Sequence, residues 1–323
     1  MMEANRHVLI YGDAFVDYIA TTKDNDLFDL YLGGATVNVS AGVSRLGVPS
    51  AFITITGDDE TSSFFRRALQ AEGVDLTYSI KRPSKRISGV YIHLTEANDR
   101  VFASYDNETP DLQVTADELA GEAFESASLF HFCSGTLFHP EARETTAQAL
   151  QLAKSHGVIC SYDVNIRPLR WESEELCRQT VLRFLPKADV LKLTVEELLF
   201  LMEADSLEAG IERLKEYRIP VVFVTDGEHG THAVFQDETI HVPVVPVKPV
   251  DTTGAGDAFM AGIIRHVHLN GMPKNQQELV ACADFGNKLG ALCATRAGAI
   301  TAMPKREDIE EWNRTGGSSN GHA

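Results

Sequence analysis

Short apolar runs that return at intervals, each followed by a stretch of helical periodicity, leave this chain few folds to adopt. Residues 8–11, 51–55, 129–133, 158–162, 190–193 and 221–224 are four or five residues long and rich in β-branched or aromatic side chains. Stretches such as 36–46, 61–71, 140–156 and 172–185 separate them and read as helices. Strands covered on both faces read as unbroken apolar runs, and their alternation with helices predicts a mostly parallel central sheet. The expected class is therefore α/β, with helices on both faces of the sheet.

Two segments, about 13–32 and 86–108, break the rhythm with alternating polar and apolar residues. Glu96, Ala97, Asn98 and Asp99 suit a hairpin connection within the second. Together these segments predict a small antiparallel sheet, a β lid projecting from the main layer. A sheet with an apolar face and no helices of its own must cover a ligand, a second subunit or both. Residues 231–235 and 239–244 read as a further hairpin, and 255–268, 275–295 and 305–314 as helices. Residues 1–314 are thus expected to form one unit, with a disordered polar tail at 315–323.

Charge and cysteine usage narrow the functional classes. A formal net charge of −17 repels nucleic acid and anionic membranes, so neither is an expected partner. Any anionic ligand then needs a locally positive pocket made by helix N-termini, basic side chains or a metal ion. The five cysteines fall at scattered spacings without a C-x-x-C pair, which fits buried thiols in a reducing cytoplasm. No signal-peptide pattern or membrane-length apolar run occurs. Neither His229 with His232 nor His266 with His268 has a third ligand at metal spacing. The basic run 81–86 reads as a solvated loop at the edge of the lid.

The strongest chemical signal is Asp251-Thr252-Thr253-Gly254-Ala255-Gly256-Asp257 at the start of an apolar helix. Small residues at Gly254, Ala255 and Gly256 let backbone N–H groups gather round an anion, where the helix dipole adds positive potential. Asp257 in the first turn is poised to take a proton from an attacking hydroxyl beside that anion hole. No GxxxxGK[ST] loop occurs, and no GxGxxG follows the first strand, so P-loop and dinucleotide chemistry are disfavoured.

DTTGAGDAFMAG resembles the C-terminal signature of ribokinase-like (phosphofructokinase-B type) carbohydrate kinases, and GGATVNVSAGVSRLG at 33–47 resembles their N-terminal signature. The resemblance implies a three-layer ribokinase-like fold and phosphoryl transfer from ATP to a primary hydroxyl of a sugar. It makes Asp257 the catalytic base, with Gly254, Ala255 and Gly256 as the anion hole. Gly33, Gly34 and Asn38 are placed at the sugar, where paired glycines admit the ligand and an amide bonds its hydroxyls. Asp17 matches a family position that accepts sugar hydroxyls, and Asp13 follows the first strand close by.

The segment from Asp163 through Asn165, Arg167 and Arg170 to Trp171 is similar to one in fructokinases and 2-keto-3-deoxygluconate kinases. There Arg167 would face the transferring phosphoryl group, with a structural ion pair as its other reading. Lys192, Thr194 and Glu197 match the family's N-x-x-E motif in part, Thr194 standing where asparagine is usual. The resemblance assigns Glu197 to Mg²⁺ through waters. It places Thr225, Gly227 and Gly230 along the ATP, and Asn287 near the adenine. Asp251 and Thr253, with carbonyls near Ala294 and Gly298, resemble the K⁺ site of some members.

Fructose is the expected substrate, ahead of 2-keto-3-deoxygluconate or a nucleoside. The keto acid would need a cation among Arg100, Arg167 and Arg170. A homodimer joined through the lid is expected. A catalytically silent binding protein would have lost Asp257 or the glycines, and both are present.

Overall fold

The computed structural model describes residues 6–95 and 100–315. Its strands are β1 (His7–Tyr11), β2 (Phe15–Ala20), β3 (Phe28–Gly33), β4 (Ser50–Ile53), β5 (Ile55–Thr56), β6 (Val74–Asp75), β7 (Ile80–Lys81), β8 (Ser88–Leu94), β9 (Arg100–Asp106), β10 (Ala127–Cys133), β11 (Ile159–Asp163), β12 (Val190–Thr194), β13 (Val221–Thr225), β14 (Thr231–Phe235) and β15 (Glu238–Val242). The helices are α1 (Ala35–Arg45), α2 (Glu60–Ala71), α3 (Gly121–Glu125), α4 (Pro140–Ser155), α5 (Glu174–Phe184), α6 (Val195–Met202), α7 (Leu207–Lys215), α8 (Ala255–Asn270), α9 (Gln276–Ala294) and α10 (Arg306–Thr315).

The main sheet has the order β15-β14-β13-β12-β11-β10-β1-β4-β6. It is parallel from β6 to β13, and the β14–β15 hairpin closes one edge antiparallel. The chain runs outward from β1 on one side and returns on the other at β10. That places a topological switch point at the carboxyl ends of β1 and β10, where open α/β sheets bind ligands.

Alternate residues of each strand enter opposite cores. Val8 and Ile10 join Val37, Val43, Phe65, Ile263 and Leu289 on the face covered by α1, α2, α8 and α9. Leu9 and Tyr11 join Phe130, Tyr162, Phe184 and Leu198 on the face covered by α3 to α7. α8 is apolar on nearly every side because it runs between the sheet, α1 and α9, with Gly42 facing Ala261 and Gly262 facing Leu289. Among the described residues no helix is long and apolar enough to cross a membrane.

The lid is a separate four-stranded sheet in the order β3-β2-β8-β9. Each of its two hairpins is antiparallel, whereas the central strands β2 and β8 run parallel. Both central strands leave the main layer in the same direction, which requires that parallel pairing. One face leans on the main layer, where the Tyr18 hydroxyl meets Thr61 of α2 at 2.6 Å. The other face carries Phe15 and Asp17, with Val90, Phe102 and Tyr105 in register beside them. The 96–99 connection, the tail from 316 onward and the side chain of Arg100 lie outside the described residues.

Asn25 clamps the two hairpins together: its amide donates to the Leu94 carbonyl at 3.2 Å and accepts the Leu94 N–H at 2.8 Å. Asn25 also takes a left-handed φ of 55°, which glycine adopts without cost. Asn25→Gly is therefore expected to keep the turn and release the clamp. Hydrogen exchange should show the Leu94 amide opening about tenfold faster or more, with the global melting temperature nearly unchanged. Unaltered protection at Leu94 would show that the clamp does not hold the lid.

Candidate active site

The site forms where α8 begins, at the carboxyl ends of the main strands. Gly254 holds φ at 80°, and a Cβ there would lie 2.9 Å from the Ala299 backbone, so glycine alone fits the turn. No side chain caps α8. The Ala255 N–H is spent on the Thr252 carbonyl at 3.1 Å, while those of Gly254, Gly256 and Asp257 find no acceptor among the described residues. Unpaired donors at a helix N-terminus make an anion site.

Asp257 is only 8% exposed, and its carboxylate accepts the Asn38 amide N–H at 2.8 Å. Burial raises its pKa to about 6; Asp163 raises it too, while the Asn38 bond, Lys192 and Arg167 pull the other way. A carboxyl group in that range is ionised at neutral pH yet basic enough to take a proton. The Oδ1 of Asn38 is buried without a partner, leaving an acceptor free for a hydroxyl.

The lid brings Asp17 to the same place. A Cβ on Gly33 would fall 2.5 Å from the Asp17 carboxylate, so the first glycine makes the room that this side chain occupies. Burial pushes Asp17 up to about pKa 6, as expected of a carboxylate waiting for hydroxyl donors. Gly34 follows, with its backbone against the Phe15 ring and the Asp13 carbonyl.

Beneath the anion hole lies a buried ion pair. Lys192, 4% exposed, donates to Asp163 at 3.0 and 3.3 Å, and its Nζ lies 3.3 Å from where a Gly256 Cβ would be. Burial disfavours its charge, but Asp163, Glu197 and Asp257 together hold its pKa above the ordinary value. Lys192 thus acts from below, as a fixed positive charge under the hole. In sequence it is the lone charge in an apolar strand. The pairing with Asp163, one strand away, becomes visible only in the fold.

Glu197 sits in the first turn of α6, where Thr194 caps the helix and the two form a reciprocal capping box. The glutamate accepts the Ile166 N–H at 2.7 Å and the Thr194 N–H at 2.9 Å, one on each oxygen. Burial raises its pKa. Each oxygen keeps a lone pair, which suits contact with a metal-bound water. No group of three or more metal-ligating side chains occurs among the described residues.

The arginines divide. Arg167 is exposed and donates to the Ile166 carbonyl; among the described residues it forms no ion pair, although its charge bears on Asp257. Arg170 makes that pair instead, donating to Asp13 at 2.9 Å while lying 3.7 Å over the Phe138 ring. Asn165, with φ at 39°, turns the chain between Asp163 and Arg167.

On the nucleotide side, Thr225 donates to the Leu193 carbonyl, and Gly227 and Gly230 bracket a short turn after β13. Asn287 spends its amide on Thr231, Val242 and Pro243, so it braces this wall. Asp251 accepts the N–H groups of Thr253 and Gly298 at 2.9 and 2.8 Å. The Ala294 carbonyl accepts the N–H groups of Val250 and Asp251.

The family model described as "pfkB family carbohydrate kinase" matches residues 5–306. The chain is similar to the fructokinase of Salmonella typhimurium, at 36% identity over 94% of this chain and 98% of that one. Its fold is similar to a fructokinase with bound ATP from Xylella fastidiosa, with a TM-score of 0.87 at 26% identity over 98% of this chain and 100% of that one. A Vibrio cholerae fructokinase in a form with fructose, ADP and calcium ion bound gives a TM-score of 0.83 at 30% identity, over 95% and 98% of the two chains.

The rate should fall as pH drops through about 6, because Asp257 must be ionised to accept a proton. Asn38→Ala removes the N–H that favours the ionised form and should move that limb to higher pH. Asp257→Asn should lower turnover by about 100- to 10,000-fold, and a loss under about tenfold would assign the proton elsewhere. The same variant should be more stable than wild type at pH 8, by about 3 kcal/mol. The sign follows from a folded pKa above the ordinary 3.8: the penalty on the native state grows from there and is complete above about 6. Denaturant unfolding at pH 8 and at pH 4 would check it, with little difference expected at the lower pH.

Proposed function

The chain belongs to the pfkB family of carbohydrate kinases, and on that footing we propose that it transfers the γ-phosphoryl group of ATP to a primary hydroxyl of fructose. The observation that carries this is Asp257, held by Asn38 at an unsatisfied helix N-terminus with the Asp17 carboxylate and glycine pair nearby. A hydroxyl positioned there can pass its proton to Asp257 as its oxygen attacks phosphorus. The N–H groups of Gly254, Gly256 and Asp257, with Lys192 below, stabilise charge on the transferring group. Arg167, free on the surface above, can swing in to the same group.

ATP is expected to arrive with Mg²⁺, which takes phosphates and waters as most of its ligands and offsets phosphate charge. Glu197 would hold one such water, and Asp251 with Thr253 would border K⁺. Thr225, Gly227 and Gly230 would follow the phosphates and ribose.

The choice of fructose over a keto acid rests on charge. A sugar acid needs an available cation at its carboxylate. Beside Asp13, Arg170 is paired with that aspartate, and Lys85 donates to the carbonyls of Thr109 and Leu112. Arg167 has no ion-pair partner among the described residues, but its charge bears on Asp257, where the phosphoryl group would arrive. A neutral sugar meets no such shortage.

The lid also favours a homodimer. β9 is an edge strand that exposes Val101, Phe102 and Tyr105, an arrangement that invites pairing. All five cysteines are buried and free, which suits a reducing cytoplasm.

An ADP-release assay with ATP and Mg²⁺, with and without K⁺, tests the proposal on fructose, ribose, 2-keto-3-deoxygluconate and nucleosides. Fructose is expected to be the preferred substrate. Preference for the keto acid would move the substrate and require the Asp13–Arg170 pair to open, and silence on every sugar would overturn the kinase reading. Light scattering should give a dimer that Phe102→Asp converts to monomer; a monomeric wild type would remove the lid interface.

A further inference from the structure

At the root of the lid, beside Asp13, the chain encloses a small polar chamber that no step of phosphoryl transfer uses. Its free volume is about 20 Å³, room for one oxygen-sized group. The ends of β1 and β4, the start of β8 and the segment after β9 form its walls, with Arg170 beside them.

Most polar groups in these walls are satisfied. Arg170 is paired with Asp13, Lys85 with two carbonyls, and Ser88 with the Tyr105 hydroxyl. Two oxygens are not: Thr54 Oγ1, on a residue 1% exposed, and Asn107 Oδ1 are buried without any hydrogen-bond partner. Native structures rarely leave such atoms unpaired. The amide oxygen can only accept, and the threonine hydroxyl can donate or accept. Together they ask for a small group that gives one hydrogen bond and can take another.

Asp13 forms part of the chamber, and its carbonyl abuts Gly34, so the chamber borders the glycine pair of the sugar site. Asp257 and Asn38 are not among its walls. A hydroxyl seated here is therefore a different one from the hydroxyl that is phosphorylated. We infer that the chamber is a specificity pocket, in which Thr54 and Asn107 receive a second hydroxyl of the bound sugar. The inference rests on the sugar-kinase reading and deepens it: the enzyme reads the substrate at two hydroxyls, one at Asp257 and one at the lid root. A sugar lacking the second would strand both oxygens, which is how a site built for a hydroxyl rejects its deoxy analogue.

The test is a cycle of steady-state measurements on fructose and its monodeoxy analogues, with wild type, Thr54→Val and Thr54→Ser. Wild type should lose about 10- to 100-fold in kcat/KM on one analogue. Thr54→Val should lose a similar factor on fructose and nothing further on that analogue, with KM for ATP unchanged and Thr54→Ser restoring discrimination. Asn107→Ala, at a half-buried loop position, provides the same cycle independently should Thr54→Val fold poorly. Equal losses on fructose and every analogue would mean that the chamber holds only water, and the inference would fall. If wild type phosphorylated neither fructose nor any analogue, the fructose reading itself would fall, and this one with it.

Discussion

Keeping a carboxylate ionised in a dry pocket beside an incoming phosphate is the constraint to which this architecture answers. Asp257 loses most of its hydration by burial in the first turn of α8. Compensation comes from the Asn38 amide, the unpaired N–H groups of the helix and the ammonium of Lys192 below. Each of these needs support in turn. Lys192 requires Asp163, and Glu197 requires the N–H groups of Ile166 and Thr194. The chain of dependence crosses α1, α8, β11, β12 and the start of α6, so the Asp257 carboxylate ties together elements from both ends of the sequence. Three carboxylates, Asp163, Glu197 and Asp257, face one buried ammonium.

The sequence exposes part of this arrangement and hides the rest, for physical reasons. Strands covered on both faces must be apolar throughout, so 8–11, 129–133 and 221–224 were legible as main-sheet strands. The lid was legible because a half-covered sheet alternates. The glycine turn before Asp257 was readable because an anion hole has few solutions in backbone geometry. Contacts between strands carry no local signature: Lys192 with Asp163, and Arg170 with Asp13, are separated by 29 and 157 residues. Arg167 and Arg170 lie in one short segment, and nothing local says which is paired. The parallel junction of β2 and β8 was equally hidden, because strand direction within the lid depends on where both strands leave the main layer. The bonds of Asn287 to Thr231 and Val242, 56 and 45 residues away, are hidden in the same way.

The lid joins the two halves of recognition. Its inner face carries Asp17 to the glycine pair, and its root closes over the chamber at Thr54 and Asn107. Both are reached by the same two strands, β2 and β8, which Asn25 locks together at the far end. A movement of the lid therefore changes contacts at both places at once. Asp17 is largely buried and has no hydrogen-bond partner among the described residues, while Asp257 is already held by Asn38. Asp257 is held between α1 and α8, whereas Asp17 is carried by the separate lid sheet. Specificity and chemistry are thus assigned to different bodies. On the proposed reading, the right substrate is one whose hydroxyls satisfy Asp17 while its reacting hydroxyl meets a carboxylate already held in place.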